Sequence, residues 1–161
     1  MPHSTPISSA LPSSTPVVSQ GTPPPATAQR TPFARLHVEV VTAHSDARGF
    51  VFQPLSDTEI SQYRNVHVVV SVPGAVRGNH MHLRGCEISS VPGPMLVRTR
   101  EGGVVTDFEV PAGAVWRFAF PPGVAHAFKN TGDRVALIAS FNTEIHDPND
   151  QDVVRDLLIG T

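Results

Sequence analysis

The stretch "RGNHMHLRGCE", Arg77 to Glu87, places two histidines one residue apart and a glutamate five residues after the second. In an extended strand, side chains two residues apart point to the same face, so His80 and His82 would lie together, roughly 6 to 7 Å apart along the backbone. "LRGC" contains a glycine that can turn the chain and bring Glu87 back on a neighbouring strand. Two imidazoles and one carboxylate at this spacing can bind one metal ion.

A second stretch, "PPGVAHAFKN" at 121–130, places His126 just after a proline and glycine turn, at the start of a strand-like run. Taken alone, the pair His80 and His82 is as compatible with chance as with a site. The second stretch favours a site, in which three imidazoles and one carboxylate converge inside a barrel. His37 and His67 occur singly in apolar runs, and we expect them to be packed or exposed rather than functional.

Short β-rich runs separated by glycine or proline fill the chain after residue 33, among them "NVHVVVSV", "PMLVRTR", "VWRFAF" and "VALIASF". Many short strands at regular spacing predict an all-β barrel or sandwich. In "VWRFAF", Trp116, Phe118 and Phe120 should share one buried face. Near the C-terminus, "DPNDQDVVRDLL" has capping residues and apolar residues at helical spacing, which predicts one short C-terminal helix docked on the barrel.

Composition divides the chain of 161 residues into a tail and a fold. Residues 1–32 are mostly Ser, Thr, Pro and Ala, so we expect a disordered tail followed by a single domain at 33–161. A net charge of −2 without a basic run argues against a nucleic-acid-binding surface. No run has the features of a secretory signal or a membrane span, and the single cysteine excludes an internal disulfide. The expected location is the cytoplasm, away from membranes.

The two motifs together resemble those of the cupin superfamily. The first is carried by Gly74, then "AVRGN", "HMH", "LRGC" and Glu87, with Gly93 one residue early, and the second by Pro121, Gly123, His126 and Asn130. The resemblance implies a double-stranded β-helix, or jelly-roll, barrel. It also implies a divalent metal held by His80, His82, Glu87 and His126, with zinc or iron favoured over manganese, nickel or copper.

A narrower resemblance covers about residues 45–156. "DARGF" at 46–50, "RGNHMH", and "KNTGD" followed by "HDP" are similar to epimerases of the dTDP-4-dehydrorhamnose 3,5-epimerase type and to the C-terminal cupin domain of capsular polysaccharide-assembling reductases. This implies an isomerase acting on a nucleotide-linked 4-keto sugar in polysaccharide biosynthesis. It implies catalytic roles for His80, as base, and Arg77, with Arg48, Arg77 and Lys129 as substrate contacts.

Two features leave the mechanism open. The epimerase pattern has a proton-donating tyrosine on a late strand, whereas the only tyrosine here is Tyr63. Glu144, His146 and Asp147 are alternative donors, although an exposed loop position is the favoured interpretation for all three. In addition, a nitrogen that binds metal cannot also accept a proton. The base is therefore either His80 in a metal-free site or a group assisted by the ion, and the metal version is favoured because all four ligand-type residues are present.

The fold alone leaves two other functions open, a metal-dependent iron oxygenase and a non-catalytic cupin that binds a sugar or another ligand. The resemblance further implies a homodimer. Because the reductase half of the capsular proteins has no counterpart in this sequence, the chain is expected to act alone or with a separate reductase.

Overall fold

The computed structural model describes residues 34–160, which form short strands and one 3-10 turn at Ile60–Gln62. The predicted tail, residues 1–32, lies outside the described residues. No helix within residues 34–160 is long and apolar enough to cross a bilayer. The strands are β1 (His37–Val41), β2 (Ala43–Asp46), β3 (Gly49–Phe52), β4 (Asn65–Ser71), β5 (Val76–His82), β6 (Glu87–Pro92), β7 (Met95–Glu101), β8 (Val104–Val110), β9 (Val115–Phe120), β10 (Ala125–Asn130), β11 (Ala136–Asn142) and β12 (Val153–Arg155).

Ten of these strands form two five-stranded antiparallel sheets, in the orders β1-β9-β6-β11-β4 and β12-β5-β10-β7-β8. Consecutive strands such as β5 and β6 belong to different sheets, so the chain crosses repeatedly between the two layers. Strands β2 and β3 form a separate hairpin. The prediction of an all-β jelly-roll barrel is confirmed.

The apolar core fills the space between the two sheets. Phe118 and Phe120 are fully buried on β9, and their rings stack with centroids 5.9 Å apart. Trp116 is buried in the same cluster, as the two-residue period of this strand predicted. A smaller cluster of Leu55, Ile88 and Ala119 packs on the other face of the first sheet. Burial of such aromatic and aliphatic side chains supplies the main driving force for folding, at roughly 25 cal/mol per Å² of apolar surface.

The prediction of a C-terminal helix is wrong. Residues 153–155 form β12, which adds to the open edge of β5 with Val153 opposite His82 and Arg155 opposite His80. Val153, Val154 and Leu157 are all exposed, so the helical spacing of these apolar residues does not correspond to one buried face. Backbone pairing with an unpaired strand edge has overridden the local periodicity.

A bulge in β5 sets which of its side chains face the barrel interior. His80 pairs with His126 on β10 and Gly78 pairs with Ala127, so Asn79 is an extra residue in β5. Gly78 and Asn79 have φ angles of 79° and 59°, in the left-handed region. A Cβ on Gly78 would lie 2.8 Å from the carbonyl oxygen of His126. Only glycine fits this close approach between the two strands that carry the histidines.

We expect Gly78→Ala to destabilise the protein more than Gly74→Ala. Both glycines have positive φ, which costs an alanine roughly 1–2 kcal/mol, but a Cβ at Gly74 meets nothing within 4 Å. The added clash at Gly78 should raise the loss to roughly 2–5 kcal/mol. Denaturant unfolding of the two variants measures the difference, and equal losses would contradict the close-packed bulge.

Candidate metal centre

The structure brings His80, His82, Glu87 and His126 together in the barrel. His80 and His82 lie on β5, His126 lies on the adjacent strand β10, and Glu87 begins β6 in the opposite sheet. One ligand atom from each residue lies within 4.8 Å of the others. The pairing of His80 with His126 and the return of the chain after "LRGC" account for this convergence.

The cluster is buried and contains unsatisfied nitrogen atoms. His82, Glu87 and His126 are 4%, 3% and 0% exposed, and His80 is half-buried. Among residues 34–160, the Nε2 atoms of His80 and His126 are buried and make no hydrogen bond. A buried polar atom without a partner costs about 1–3 kcal/mol, so two such atoms aimed into one cluster need a physical reason. Lone pairs kept free for an ion are such a reason.

Ring contacts fix the orientations of the histidines. The imidazoles of His80 and His126 meet edge to face with centroids 4.6 Å apart. Phe120 stacks on His126 with centroids 4.1 Å apart. His126 therefore contacts both the apolar core, through Phe120, and His80.

Glu87 is the only carboxylate of the four and is held by two hydrogen bonds. Its Oε2 lies 3.0 Å from Nε2 of His82, and its Oε1 accepts a hydrogen bond of 2.6 Å from Ser89. Burial alone would raise the pKa of Glu87, but the hydrogen bond from His82 and the positive charge available on His126 and His82 outweigh it and lower the pKa. Glu87 is therefore a buried anion among imidazoles, where a cation is favoured.

The three histidines have different proton affinities. Burial lowers the pKa of His126 to about 4, and burial also lowers the pKa of His80, so both are neutral near pH 7. Burial acts in the same direction on His82, but its hydrogen bonds with Glu87 and Asp152 outweigh this effect and raise the pKa. Neutral imidazoles with free lone pairs are the form that binds metal.

This ligand set fits a divalent metal ion. Three imidazole nitrogens and one carboxylate oxygen suit zinc, iron, manganese or nickel. Bonds of about 2.0–2.2 Å require ligand atoms within roughly 4.4 Å of one another, so a spread of 4.8 Å needs only small side-chain adjustments. The residues present match the predicted ligand set in type, proximity and burial.

The residues predicted to contact the substrate do not form one cluster. Arg77 pairs with Phe128, two residues from His126 on β10, so the bulge places Arg77 and His80 on the same face of β5. The exposed Arg77 guanidinium donates a hydrogen bond to the carbonyl of Val70. Arg48 lies in the turn of the β2-β3 hairpin and forms an ion pair with Asp46. Lys129 alternates with His126 on β10 and points to the opposite face.

Two residues beside His82 were not predicted from the sequence. Asp152 lies 3.0 Å from its Nδ1, and the amide nitrogen of Asn142 lies 3.3 and 3.4 Å from its two ring nitrogens. Asp152 is far along the chain from His82, and no local motif marks it. An acidic residue just before an edge strand is too common a pattern to have been informative.

A surface groove of about 610 Å³ lies apart from the cluster. Its lining includes Glu39, His44 and Arg117 but none of the four candidate ligands. Arg117 is already engaged there by Glu39 at 2.6 Å and by the carbonyl groups of Gln53 and Pro54. Arg117 therefore has partners for its guanidinium within the groove.

Comparison with protein families gives one match over most of the chain. The family model described as "Polysaccharide biosynthesis C-terminal domain" matches residues 44–154. No curated protein sequence matches.

Several solved structures share the fold. The capsular polysaccharide assembling protein CapF from Staphylococcus aureus is 24% identical with a TM-score of 0.55, over 74% of this chain and 35% of its own. The 3'-monoepimerase ChmJ from Streptomyces bikiniensis, solved with dTDP-quinovose, is 20% identical with a TM-score of 0.61, over 74% of this chain and 68% of its own. A dTDP sugar isomerase from Desulfovibrio desulfuricans G20 is 19% identical with a TM-score of 0.64, over 78% and 86%. The chain thus spans about a third of the length of CapF, and at these identities the likenesses establish the fold.

We expect the metal-free protein to lose stability as pH falls from 7.5 to 5. An unfolded His126 takes up a proton near pH 6.5, whereas the folded residue stays neutral until about pH 4, so protonation favours the unfolded state across this window. This group contributes a loss on the order of 2 kcal/mol. His82, with its raised pKa, acts in the opposite direction. Denaturant titrations therefore measure the free energy of unfolding of chelator-treated wild type and of His126→Gln at each pH. If the difference between the two proteins does not change with pH, His126 is not the neutral buried group described here.

Proposed function

The chain belongs to the polysaccharide biosynthesis C-terminal domain family, and from this premise we propose that it is an epimerase or isomerase acting on a nucleotide-linked 4-keto sugar. The fold that it shares with these solved structures supports its resemblance to the cupin superfamily. The observation that carries the proposal is the histidine cluster, in which the half-buried His80 directs a buried Nε2 without a hydrogen-bond partner into the barrel.

The proposed reaction is proton transfer beside a ketone. Carbons flanking the 4-keto group of the sugar carry acidic protons, and removing one of them requires a base that is neutral near pH 7. Burial lowers the pKa of His80, which keeps its imidazole in the neutral form. The Nε2 lone pair is available because, among the described residues, no donor occupies it.

A bound divalent ion would polarise the keto oxygen and stabilise the enolate that forms on proton loss. His82, Glu87 and His126 are all buried, whereas His80 is the most exposed of the four. A nitrogen that binds the ion cannot take the substrate proton. Where His80 acts as the base, the three buried residues therefore hold the ion, and His80 moves the proton.

Arg77 is the residue we propose for binding the anionic part of the substrate. It lies on the same face of β5 as His80, and its exposed guanidinium can donate in parallel to diphosphate or sugar oxygens. Its hydrogen bond to the Val70 carbonyl restrains the side chain toward β4. Roles for Arg48 and Lys129 in substrate binding stay predictions.

We propose that the proton donor is a residue other than Tyr63. This residue packs against Phe141, with ring centroids 6.2 Å apart, in the apolar cluster on the other face of the first sheet. Burial raises its pKa, which disfavours release of its proton. Glu144, which is half-buried in the turn after β11, and the exposed His146 and Asp147 stay candidates from the sequence.

We expect the protein to catalyse exchange of solvent deuterium into a nucleotide-linked 4-keto sugar. His80→Asn should lower the exchange rate by about 100-fold or more, because positioned acid and base groups contribute about 10²–10⁴. The exchange is followed by mass spectrometry across dTDP- and UDP-linked 4-keto sugars. His37→Asn, on the outer edge of β1, is the matched histidine control and should retain the wild-type rate. Absence of exchange from the whole panel would end the isomerase proposal.

We also propose that a second copy of the chain covers the outer face of β4 and β11. Val66, Val68 and Val70 on the sheet edge β4 are 62%, 59% and 50% exposed, and Leu137 beside them on β11 is 54% exposed. An uncharged apolar face of this kind is costly in water and complementary to itself, as a twofold dimer requires. We further propose that the protein works in the cytoplasm, either alone or with a separate reductase.

We expect Val68→Glu to convert a dimer into a monomer, because it buries a carboxylate at the centre of the proposed interface. Val104→Glu is the control, since Val104 is 66% exposed but lies on β8 in the other sheet. Light scattering coupled to size-exclusion chromatography gives the mass of each protein. A monomeric wild type, or equal dissociation by both variants, would refute this interface.

A further inference from the structure

Asp152 contacts the candidate ligand His82 from behind the cluster. Its Oδ2 lies 3.0 Å from Nδ1 of His82, while Nε2 of the same ring lies 3.0 Å from Glu87. Asp152 itself is 9% exposed. His82 is therefore held between two carboxylates, one inside the cluster and one outside it.

The carboxylate of Asp152 is fixed by the loop that joins His82 to Glu87. Its Oδ1 accepts the backbone N–H of Arg84 at 2.7 Å, and its Oδ2 accepts that of Gly85 at 3.1 Å. The backbone N–H of Leu83 donates to the carbonyl of Asp152 at 2.9 Å. A Cβ on Gly85 would lie 2.7 Å from Oδ2, so the loop closes tightly around this side chain.

The segment that carries Asp152 is tied to β5 beyond it. β12 pairs with β5 directly after Asp152. The side chain of Asn79, the extra residue of the bulge, accepts the N–H groups of Leu158 and Ile159 and donates to the Ile159 carbonyl. We call residues 150–160 the C-terminal strap. The strap holds Asp152 in register with His82 through contacts on both sides.

This geometry determines which ring nitrogen of His82 faces a metal. An ionised carboxylate only accepts hydrogen bonds, so in the metal-free protein the nitrogen facing Asp152 and the nitrogen facing Glu87 both carry a proton. Only Nε2 faces the cluster, so an ion held there would replace the proton on Nε2, while Nδ1 keeps its proton on Asp152. Carboxylate partners of this kind fix the tautomer and orientation of metal-binding histidines.

We propose that Asp152 is a positioning residue that sets the ring of His82 for metal binding through Nε2. This inference rests on the metal-assisted form of the proposed function. Nothing in the family match assigns a role to this residue. Asp152 does not enter the cluster itself, because His82 lies between it and the other three ligands.

The test measures zinc affinity in the absence of any sugar. Wild type, Asp152→Ala and Asp152→Asn are titrated with Zn²⁺ against a chromophoric chelator. Arg84→Ala is the matched control, because it removes the ion pairs of Arg84 with Asp150 and Asp152 but leaves the backbone N–H and the contact between Asp152 and His82. The zinc-loaded proteins are then compared by ¹⁵N NMR of the His82 ring, which shows the nitrogen that carries the proton.

We expect Asp152→Ala to weaken zinc binding by about 10- to 100-fold and to lose the single Nδ1-protonated form of His82. Asp152→Asn keeps an uncharged acceptor, so it should show a smaller loss and also covers the case in which the alanine variant does not fold. Arg84→Ala should bind like wild type. Wild-type affinity and an unchanged His82 signal in the Asp152 variants would overturn the proposal, as would a wild type that binds no zinc.

The two proposals fail separately. Deuterium exchange without zinc binding would retain the isomerase, with His80 as a metal-free base, and would reject the role of Asp152. Zinc binding that depends on Asp152 but no exchange with any sugar would retain the positioning role and reject the isomerase.

Discussion

The structure depends on one buried charge. Glu87 lies inside an apolar barrel, and an ionised carboxylate in such a place needs compensation by hydrogen bonds and positive charge. His82 and Ser89 supply the hydrogen bonds, and His82, whose pKa is raised, also supplies positive charge. Because these partners come from both sheets, the compensation of this charge also ties the two layers of the barrel together.

The bulge in β5 determines which side chains of this strand face the cluster around Glu87. In a regular strand, the three-residue spacing from Arg77 to His80 would put these two side chains on opposite faces. The bulge takes up Asn79 as an extra residue and so brings them to one face. The left-handed backbone at Gly78 and Asn79 instead keeps both on the face of His126. A polar bulge next to the ligands thus serves two purposes, since it orients Arg77 and presents the Asn79 side chain to the C-terminal strap.

Local signals were sufficient for much of the fold and most of the site. The alternation in "VWRFAF" identified a buried strand face, and the one-residue spacing of His80 and His82 identified a shared face. The C-terminal helix was wrong because an unpaired strand edge offered the backbone better hydrogen bonds than its own helical turn would have. The role of Asp152 could not be predicted from the sequence, since it depends on contact with His82, which is 70 residues away in the chain. The Gly78-Asn79 pair in the sequence indicates a bulge, because both residue types favour positive φ. The effect of the bulge on the register between β5 and β10 is visible only in the structure.

The position of the C-terminal strap has a consequence for the order of events during synthesis. The four candidate ligands all precede residue 130, whereas the carboxylate that orients His82 comes more than twenty residues later. On the ribosome the ligands would therefore emerge from the exit tunnel while Asp152 is still unmade or enclosed. If the cluster holds an ion as proposed, a nascent barrel would bind it less tightly than the finished one, and full affinity would be reached only after Asp152 had left the tunnel.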